Sequence, residues 1–203
     1  MSRMQDAIKG ALAGDTFTVS STIRVLAEGG ILAAHLNERM FIDAYCDMNV
    51  LHAACKACAT SVIAVLLRTP GIALDCPDGE GRTALCILIE TARRTPQRHA
   101  EAIFNIKELL TYGATFGYKD WSGLHLDETK KEWAPDSHAR SCAMCGTGFS
   151  FLLRKHHCRG CGLVMCDDCC PFRDEARACD FCWQVTQLWK ARILLNNTTI
   201  VIT

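Results

Sequence analysis

The cysteines of this 203-residue chain constrain its fold more than any other feature. Of the 14 cysteines, nine lie in the last 62 residues, and eight of those nine form four Cys-x-x-Cys pairs. The pairs are Cys142 with Cys145, Cys158 with Cys161, Cys166 with Cys169, and Cys179 with Cys182. Two thiolates separated by two residues can bind one tetrahedral Zn²⁺, so each pair supplies half of a site. The array therefore predicts two zinc sites, each with four cysteine ligands, within 41 residues.

The two expected Zn²⁺ ions are structural, because four thiolates leave no coordination position open for water or substrate. Below about 70–80 residues a domain usually needs a metal or disulfides, so zinc binding and folding of this segment should be one equilibrium. Only four residues separate Cys161 from Cys166, which is short for a loop between two independent sites. This spacing favours an interleaved pairing, in which the first and third pairs share one ion and the second and fourth share the other. The ninth thiol, Cys170, is either a buried spare cysteine or an alternative ligand.

Composition and charge exclude several classes of protein. No apolar signal-peptide core follows the charged N-terminus, and mostly apolar uncharged stretches run about 11 residues, short of the roughly 20 that span a bilayer. Without an export signal, dense cysteine is more typical of metal binding than of disulfides, which predicts a cytoplasmic chain with no transmembrane segment. Lys and Arg total 22 and Asp and Glu total 22, so net charge gives no reason to expect a nucleic-acid partner.

An apolar stretch stands next to a cationic cluster between the first two cysteine pairs. Phe151, Leu152 and Leu153 are followed by Arg-Lys-His-His at 154–157 and by Arg159. A small two-zinc module has little interior in which to bury three consecutive large apolar side chains. An apolar tip beside cations is typical of a surface that inserts into an anionic membrane, where the cations meet lipid phosphates.

Three motifs around the cysteines resemble those of the FYVE zinc finger. They are Trp133-Ala-Pro-Asp136, the run Arg154-Lys-His-His-Cys-Arg159 with Cys161-Gly162, and Arg177-Ala-Cys179. That family is marked by the signatures WxxD, R(R/K)HHCRxCG and RVC, the third of which reads Arg-Ala-Cys here. The resemblance covers residues 133–183, in the order and spacing of the family.

The resemblance implies a fold with two interleaved zinc ions that binds phosphatidylinositol 3-phosphate on early endosomal membranes. It implies that one ion is held by Cys142, Cys145, Cys166 and Cys169, and the other by Cys158, Cys161, Cys179 and Cys182. The motif residues expected to surround the lipid phosphates are Arg154, Lys155, His156, His157, Arg159 and Arg177, while Asp136 accepts hydrogen bonds from inositol hydroxyls. The residues that match the membrane-inserting loop are Phe151, Leu152 and Leu153. One departure from the family is the nine-residue gap between Cys169 and Cys179, which is shorter than in many members. This short gap puts in question whether the second small sheet forms and in which direction the Arg177 side chain points.

The N-terminal part of the chain resembles degenerate ankyrin repeats. Residues 47–54 and 78–85 both look like the opening of such a repeat. Leu51 and Leu85 are 34 residues apart, near the roughly 33-residue period of that family. An earlier copy is placed in residues 7–15, and a degenerate start at residues 120–125. Such an array of antiparallel helix pairs would offer a surface for a protein partner.

These observations predict a mostly α protein, with an ankyrin-like helical repeat array and a small C-terminal α+β two-zinc cross-brace domain. The expected boundaries are residues 1–126 for the repeats, 127–132 for a charged linker, 133–195 for the zinc finger with a helix from residue 183, and 196–203 for a tail. The expected function is that of a non-enzymatic adaptor, peripheral on early endosomal membranes, with homodimerisation left open. The alternative is a RING-like ubiquitin ligase with a substrate-binding repeat array, although RING fingers normally have a histidine among the middle ligands.

Overall fold

The computed structural model describes residues 3–42, 45–116, 133–173 and 176–199. Contacts divide the described chain into two compact units. The first contains the residues up to Ala92 and those from Phe104 to residue 116, and the second contains Arg93–Ile103 and the residues from Trp133 onward. The predicted linker at 127–132 and the degenerate repeat start at 120–125 lie outside the described residues.

Helices dominate residues 3–116. They are α1 (Arg3–Ala13), α2 (Thr16–Glu28), α3 (Leu32–His35), α4 (Val50–Ala57), α5 (Thr60–Leu67), α6 (Ala84–Arg93) and α7 (His99–Thr111), with a 3-10 turn at Pro96–Arg98 before α7. An antiparallel hairpin of β1 (Met40–Ile42) and β2 (Tyr45–Met48) stands between α3 and α4. No helix among the described residues has the length and apolar character needed to span a membrane.

Local sequence signals account for the ends of the first helices. The Asp15 carboxylate caps α2 by accepting a hydrogen bond from the backbone N–H of Thr18 at 3.1 Å. Gly14, with a φ of 72°, turns the chain between α1 and α2. Asn49 and His52 form a reciprocal capping box at the start of α4, in which Asn49 Oδ1 accepts from the His52 N–H at 3.0 Å and His52 Nδ1 accepts from the Asn49 N–H at 3.1 Å. These caps satisfy backbone groups that the first turn of a helix leaves unpaired.

Helices α1, α2, α4 and α5 pack against one another. Helix α1 contacts α2 and α4, and helix α5 contacts α4 and α2. Their fully buried side chains include Ile8, Val19, Leu51, Ile63 and Leu66. Burial of each large aliphatic side chain contributes about 1.5–3 kcal/mol to stability. The prediction of a helical N-terminal region is confirmed, while its ankyrin-like repeat character stays a prediction.

Hydrogen bonds connect the two repeat-like openings and the segment before the second one. The Gly79 N–H donates to the Asp47 carbonyl oxygen at 2.8 Å, which joins the second opening to the first. His52 is fully buried and donates from Nε2 to the Cys76 carbonyl oxygen at 2.8 Å, while its Nδ1 accepts from Asn49. Burial lowers the pKa of His52, against the effect of the Cys76 carbonyl. Because both ring nitrogens are used within the helical region, His52 is a structural residue.

Asp78 organises the loop before α6. Its buried carboxylate accepts from the backbone N–H groups of Glu80 and Arg82, at 2.9 and 2.8 Å, through Oδ1. Its Oδ2 accepts from Nε and Nη2 of Arg82, at 3.0 and 2.8 Å. Burial alone would raise the pKa of Asp78, but the hydrogen bonds and charge of Arg82 outweigh it and lower the pKa. The carboxylate therefore stabilises the fold above the unfolded pKa of about 3.9, and this contribution is lost as the pH falls through the lower folded value.

Replacing Asp78 with alanine is expected to lower the free energy of unfolding by about 2–3 kcal/mol at pH 7, because part-buried donors lose a charged acceptor. Urea unfolding measures the change. The matched control is Glu80→Ala, whose exposed side chain forms a surface ion pair with Arg82 and should cost less than about 1 kcal/mol. The difference between wild type and Asp78→Ala should shrink below about pH 4. Equal losses in the two variants would contradict this role for Asp78.

Short strands and one helix form the zinc region. Strand β3 (His156–His157) pairs antiparallel with β4 (Val164–Met165), and β5 (Phe172–Arg173) pairs antiparallel with β6 (Ala176–Arg177). The second small sheet therefore forms in spite of the short gap before Cys179. Helix α8 (Asp180–Thr199) begins three residues before the helix expected from residue 183 and continues into the predicted tail. Residues 200–203 of that tail lie outside the described residues.

Candidate zinc centre and adjoining basic surface

The four cysteine pairs form two separate clusters of sulfur atoms. In each cluster the four Sγ atoms lie within 4.8 Å of one another. The first cluster is Cys142, Cys145, Cys166 and Cys169, and the second is Cys158, Cys161, Cys179 and Cys182. A tetrahedral site with Zn–S bonds of about 2.3 Å places its sulfurs about 3.8 Å apart. The Sγ atoms of Cys145 and Cys166 are 3.8 Å apart, so the geometry fits the two structural Zn²⁺ ions that the sequence predicts.

The β3–β4 hairpin explains why the cysteine pairs interleave. Cys158 follows β3 and belongs to the second cluster, whereas Cys166 follows β4 and belongs to the first. Because the two strands run antiparallel, their ends lie at opposite ends of the hairpin, and each end carries a ligand for a different ion. The first pair therefore joins the third and the second joins the fourth, which is the arrangement that the short gap between Cys161 and Cys166 favours.

Glycines close two of the metal-binding turns. Gly146 and Gly162 have φ values of 74° and 73°, in the left-handed region that glycine adopts without steric cost. Each donates its N–H to the carbonyl oxygen of the first cysteine of its pair, Gly146 to Cys142 at 2.9 Å and Gly162 to Cys158 at 2.8 Å. These hydrogen bonds fold each turn tightly enough for both sulfurs of the pair to reach one ion.

The first FYVE-like motif packs on the second. His157 donates from Nε2 to the Ala134 carbonyl oxygen at 2.9 Å, and its ring stacks on Trp133 with the centroids 4.8 Å apart. The same Nε2 lies 3.7 Å from the Asp136 carboxylate. The Arg159 guanidinium lies 4.5 Å from the centre of the Trp133 ring, within cation–π range. Trp133 therefore holds His157 and Arg159 on the side of the domain where Asp136 lies.

Basic residues from two motifs form what we call the basic surface. Its members are Arg154, Lys155, His156, His157, Arg159 and Arg177. Lys155 Nζ donates to the Asp136 carbonyl oxygen at 2.6 Å and lies 5.7 Å from the centre of the Phe149 ring. The side chain of Arg154 is exposed. The Arg159 N–H donates to the Arg177 carbonyl oxygen at 3.0 Å, which joins the second motif to the third.

Arg177 is already paired within the domain. Its Nη1 donates to the Asp167 carboxylate and to the Cys170 carbonyl oxygen, the latter at 3.0 Å. His156 Nε2 lies 3.7 Å from Oδ1 of the same Asp167. Sequence reasoning missed Asp167, because it reads as an acidic residue after Cys166 and only the fold brings it to Arg177.

The pKa values of Asp167 and His156 are both lowered. The hydrogen bond and the positive charge of Arg177 lower the pKa of Asp167. Burial and the charge of Arg177 lower the pKa of His156, against the attraction of Asp167. His156 is therefore mostly neutral at pH 7, and the positive charge in this part of the basic surface comes from Arg177.

An exposed turn, which we call the tip, carries Phe151 and Leu152. These residues are 96% and 90% exposed, whereas Leu153 is only partly exposed. The Ser150 N–H donates to the Leu153 carbonyl oxygen, and the Leu153 N–H donates to Ser150 Oγ, each at 3.2 Å. The structure thus separates the three predicted membrane-contacting residues into two at the apex of the turn and one at its base.

Comparisons with known proteins agree with this geometry. Residues 132–188 match the model of the FYVE zinc finger family. The chain is 41% identical over 76 residues to human zinc finger FYVE domain-containing protein 9, and 34% identical over 70 residues to human early endosome antigen 1. These matches cover 32% and 31% of this chain but only 5% of each relative. Residues 132–188 therefore form a FYVE zinc finger domain, within a chain that spans a small part of the length of these relatives.

A solved structure with a FYVE domain also matches. It is the crystal structure of the VHS and FYVE tandem domains of Hrs, a protein involved in membrane trafficking and signal transduction. The alignment covers 89% of this chain and 78% of that chain at 20% identity, with a TM-score of 0.25. A score this low shows no shared overall arrangement, and the assignment of the domain rests on the family match and the cysteine geometry.

Proposed function

We propose that this protein is a non-enzymatic adaptor that binds phosphatidylinositol 3-phosphate on early endosomal membranes. The observation that carries the proposal is the exposed tip of Phe151 and Leu152, followed directly in the chain by the basic surface. The FYVE family match and the likeness to a protein named early endosome antigen 1 support it. The first and second sulfur clusters would each hold one Zn²⁺, with all eight cysteines as ligands.

Head-group recognition would combine cations with one carboxylate. A guanidinium binds phosphate oxygens with two parallel hydrogen bonds, which suits Arg154, Arg159 and Arg177 to a phosphomonoester. Asp136, 3.7 Å from His157, would accept hydrogen bonds from inositol hydroxyls. A second phosphate in place of those hydroxyls would face a negative charge. The arrangement therefore favours an inositol ring with one added phosphate.

The membrane contact alone would be weak. Each cation near an anionic surface contributes roughly 1 kcal/mol, and each fully buried Leu or Phe roughly 1.5–3 kcal/mol. The two tip residues, and Leu153 behind them, would insert only partly into the membrane. Stable binding would therefore also require recognition of the head group or a second copy of the protein on the same membrane. A homodimer would present two tips to one membrane and raise the effective concentration of the second contact.

The helical region would supply a surface for a protein partner. Phe17 and Phe41 are 80% and 73% exposed, and aromatic residues are enriched at protein interfaces. The hydrogen bond from Gly79 to Asp47 supports an ankyrin-like stacking of the two repeat openings. We assign residues 1–126 to this array, 127–132 to a linker, 133–195 to membrane binding and 196–203 to a tail.

A ubiquitin discharge assay separates this function from the RING-like alternative. Every member of both sulfur clusters is a cysteine, whereas RING fingers normally have a histidine among the middle ligands. The adaptor is expected to leave a charged conjugating enzyme intact. Discharge of ubiquitin without any lipid binding would favour the ligase.

Titration of ¹⁵N-labelled, zinc-loaded protein with short-chain phosphatidylinositol 3-phosphate tests the proposed function. Saturable amide shifts are expected at residues 154–159 and at Arg177, because the phosphate changes the electric field at those groups. Phosphatidylinositol without the added phosphate is the control and should leave the same amides unchanged. Shifts confined to residues 3–116, or equal shifts with both lipids, would contradict the proposal.

A further inference from the structure

We infer that Asp167 is an internal competitor for the lipid phosphate, because its carboxylate holds the Arg177 guanidinium that the head group must engage. The inference rests on the proposed function and adds a residue that tunes it. A head group that binds the basic surface would displace Asp167 from Arg177. The measured affinity for the lipid would then depend on how much more strongly Arg177 interacts with the phosphate than with the Asp167 carboxylate.

Arg177 stands apart from the other residues of the basic surface. Within the described parts of the chain, it is the one member that donates a hydrogen bond to a side-chain carboxylate. Lys155 donates to a backbone carbonyl instead, and Arg159 lies over an aromatic ring. His156 also faces Asp167, with Nε2 3.7 Å from Oδ1. The carboxylate therefore lies where a phosphate bound to Arg177 and His156 would have to place its oxygens.

Asp167 is not needed to hold Arg177 in position. Arg177 Nη1 also donates to the Cys170 carbonyl oxygen at 3.0 Å, and the Arg177 carbonyl oxygen accepts from the Arg159 N–H at 3.0 Å. Both of these partners are backbone groups close to zinc-binding turns. When Asp167 releases the guanidinium, these contacts keep it aimed at the basic surface. This distinguishes a competitor from a residue that positions the arginine.

The exposure of the pair makes displacement by a phosphate feasible. The side chains of Arg177 and Asp167 are 28% and 68% exposed, and ion pairs at the surface are screened and contribute little to stability. A phosphomonoester has close to two negative charges and three acceptor oxygens, against one charge on Asp167. The phosphate therefore displaces the Asp167 carboxylate from the Arg177 guanidinium. It then binds beside that carboxylate, whose negative charge weakens the binding.

The test compares Asp167→Asn with Asp168→Asn by isothermal titration of zinc-loaded protein with short-chain phosphatidylinositol 3-phosphate. Asp168 is the matched control, because it is exposed, lies next to a zinc-binding cysteine and forms no hydrogen bond or ion pair with any other described residue. Both substitutions remove one negative charge. Affinity should rise at least about fivefold in Asp167→Asn, the factor expected in water for removing a unit charge about 4 Å from one unit of negative charge on the phosphate, and less than twofold in Asp168→Asn.

Each other result overturns the inference. Weaker or unchanged binding by Asp167→Asn would show that Asp167 positions Arg177 or has no effect on it. Equal gains in the two variants would show a general effect of net charge. If neither wild type nor the variants bind the lipid while all retain two zinc ions, the proposed function itself fails and the inference falls with it.

Discussion

Removing zinc is expected to unfold residues 133–199 while leaving helices α1 to α5 folded. Structural zinc contributes about 10–16 kcal/mol per ion in small zinc modules at pH 7, as much as the whole stability of an ordinary domain, about 5–15 kcal/mol. The β-strands of this region are two residues long. Neither sulfur cluster includes a residue from the described helices before residue 112. Amide spectra recorded before and after a zinc chelator should lose the dispersed signals of the zinc region, and added zinc should restore them.

Two cysteine variants test the ligand assignment within this prediction. Cys158→Ser removes a sulfur of the second cluster and should leave one zinc per chain or fewer. Cys170→Ser is the control, because Cys170 is fully buried yet lies outside both sulfur sets. It should retain two zinc ions by elemental analysis. Loss of zinc from Cys170→Ser together with full zinc in Cys158→Ser would show that the ninth thiol is the ligand.

The double variant Phe151→Ser with Leu152→Ser is expected to bind vesicles about 100-fold more weakly than wild type. Each of these side chains would lose about 1.5 kcal/mol of partial burial in the membrane, and the sum of about 3 kcal/mol corresponds to that factor. Sedimentation with vesicles containing phosphatidylinositol 3-phosphate measures the change. Affinity for the short-chain soluble lipid should stay within about twofold, because the proposed role of the tip is to contact acyl chains rather than the head group.

Two further variants make this prediction specific. Phe17→Ser removes an aromatic residue of similar exposure from α2 and should change neither measurement. Arg159→Ala should weaken binding of the soluble lipid, since a hydrogen bond to a charged group contributes about 1.5–3 kcal/mol. An unchanged vesicle affinity in the tip variant, or an equal loss in Phe17→Ser, would show that Phe151 and Leu152 are not the membrane contact.

The zinc geometry was accessible from the sequence because it depends on short-range constraints. Two residues between cysteines set the bite of each pair, and the four-residue gap after Cys161 left little freedom in how the pairs combine. The left-handed glycines at 146 and 162 follow from the same tight turns. The coarse division into a helical region and a zinc region was predictable for a related reason, since apolar periodicity and cysteine density differ along the chain.

What the sequence did not reveal depends on contacts between distant residues. The pairing of Asp167 with Arg177 appears only when the β5–β6 hairpin brings residue 177 back to the third cysteine pair. The start of α8 at Asp180 and the partial burial of Leu153 are likewise visible only in the fold. Residues 47–54 and 78–85 carried a weak repeat pattern, and the hydrogen bond from Gly79 to Asp47 became visible only in the fold.

Sedimentation of the wild-type, zinc-loaded protein with a panel of vesicles tests the central claim most directly. The vesicles share one background composition and differ in one lipid: phosphatidylinositol, its 3-phosphate, its 4-phosphate or its 3,5-bisphosphate. Preferential sedimentation with the 3-phosphate at physiological salt is the expected result. Equal sedimentation with all four lipids would show attraction by charge alone, and absence of binding to the 3-phosphate by protein that holds two zinc ions would contradict the proposed function.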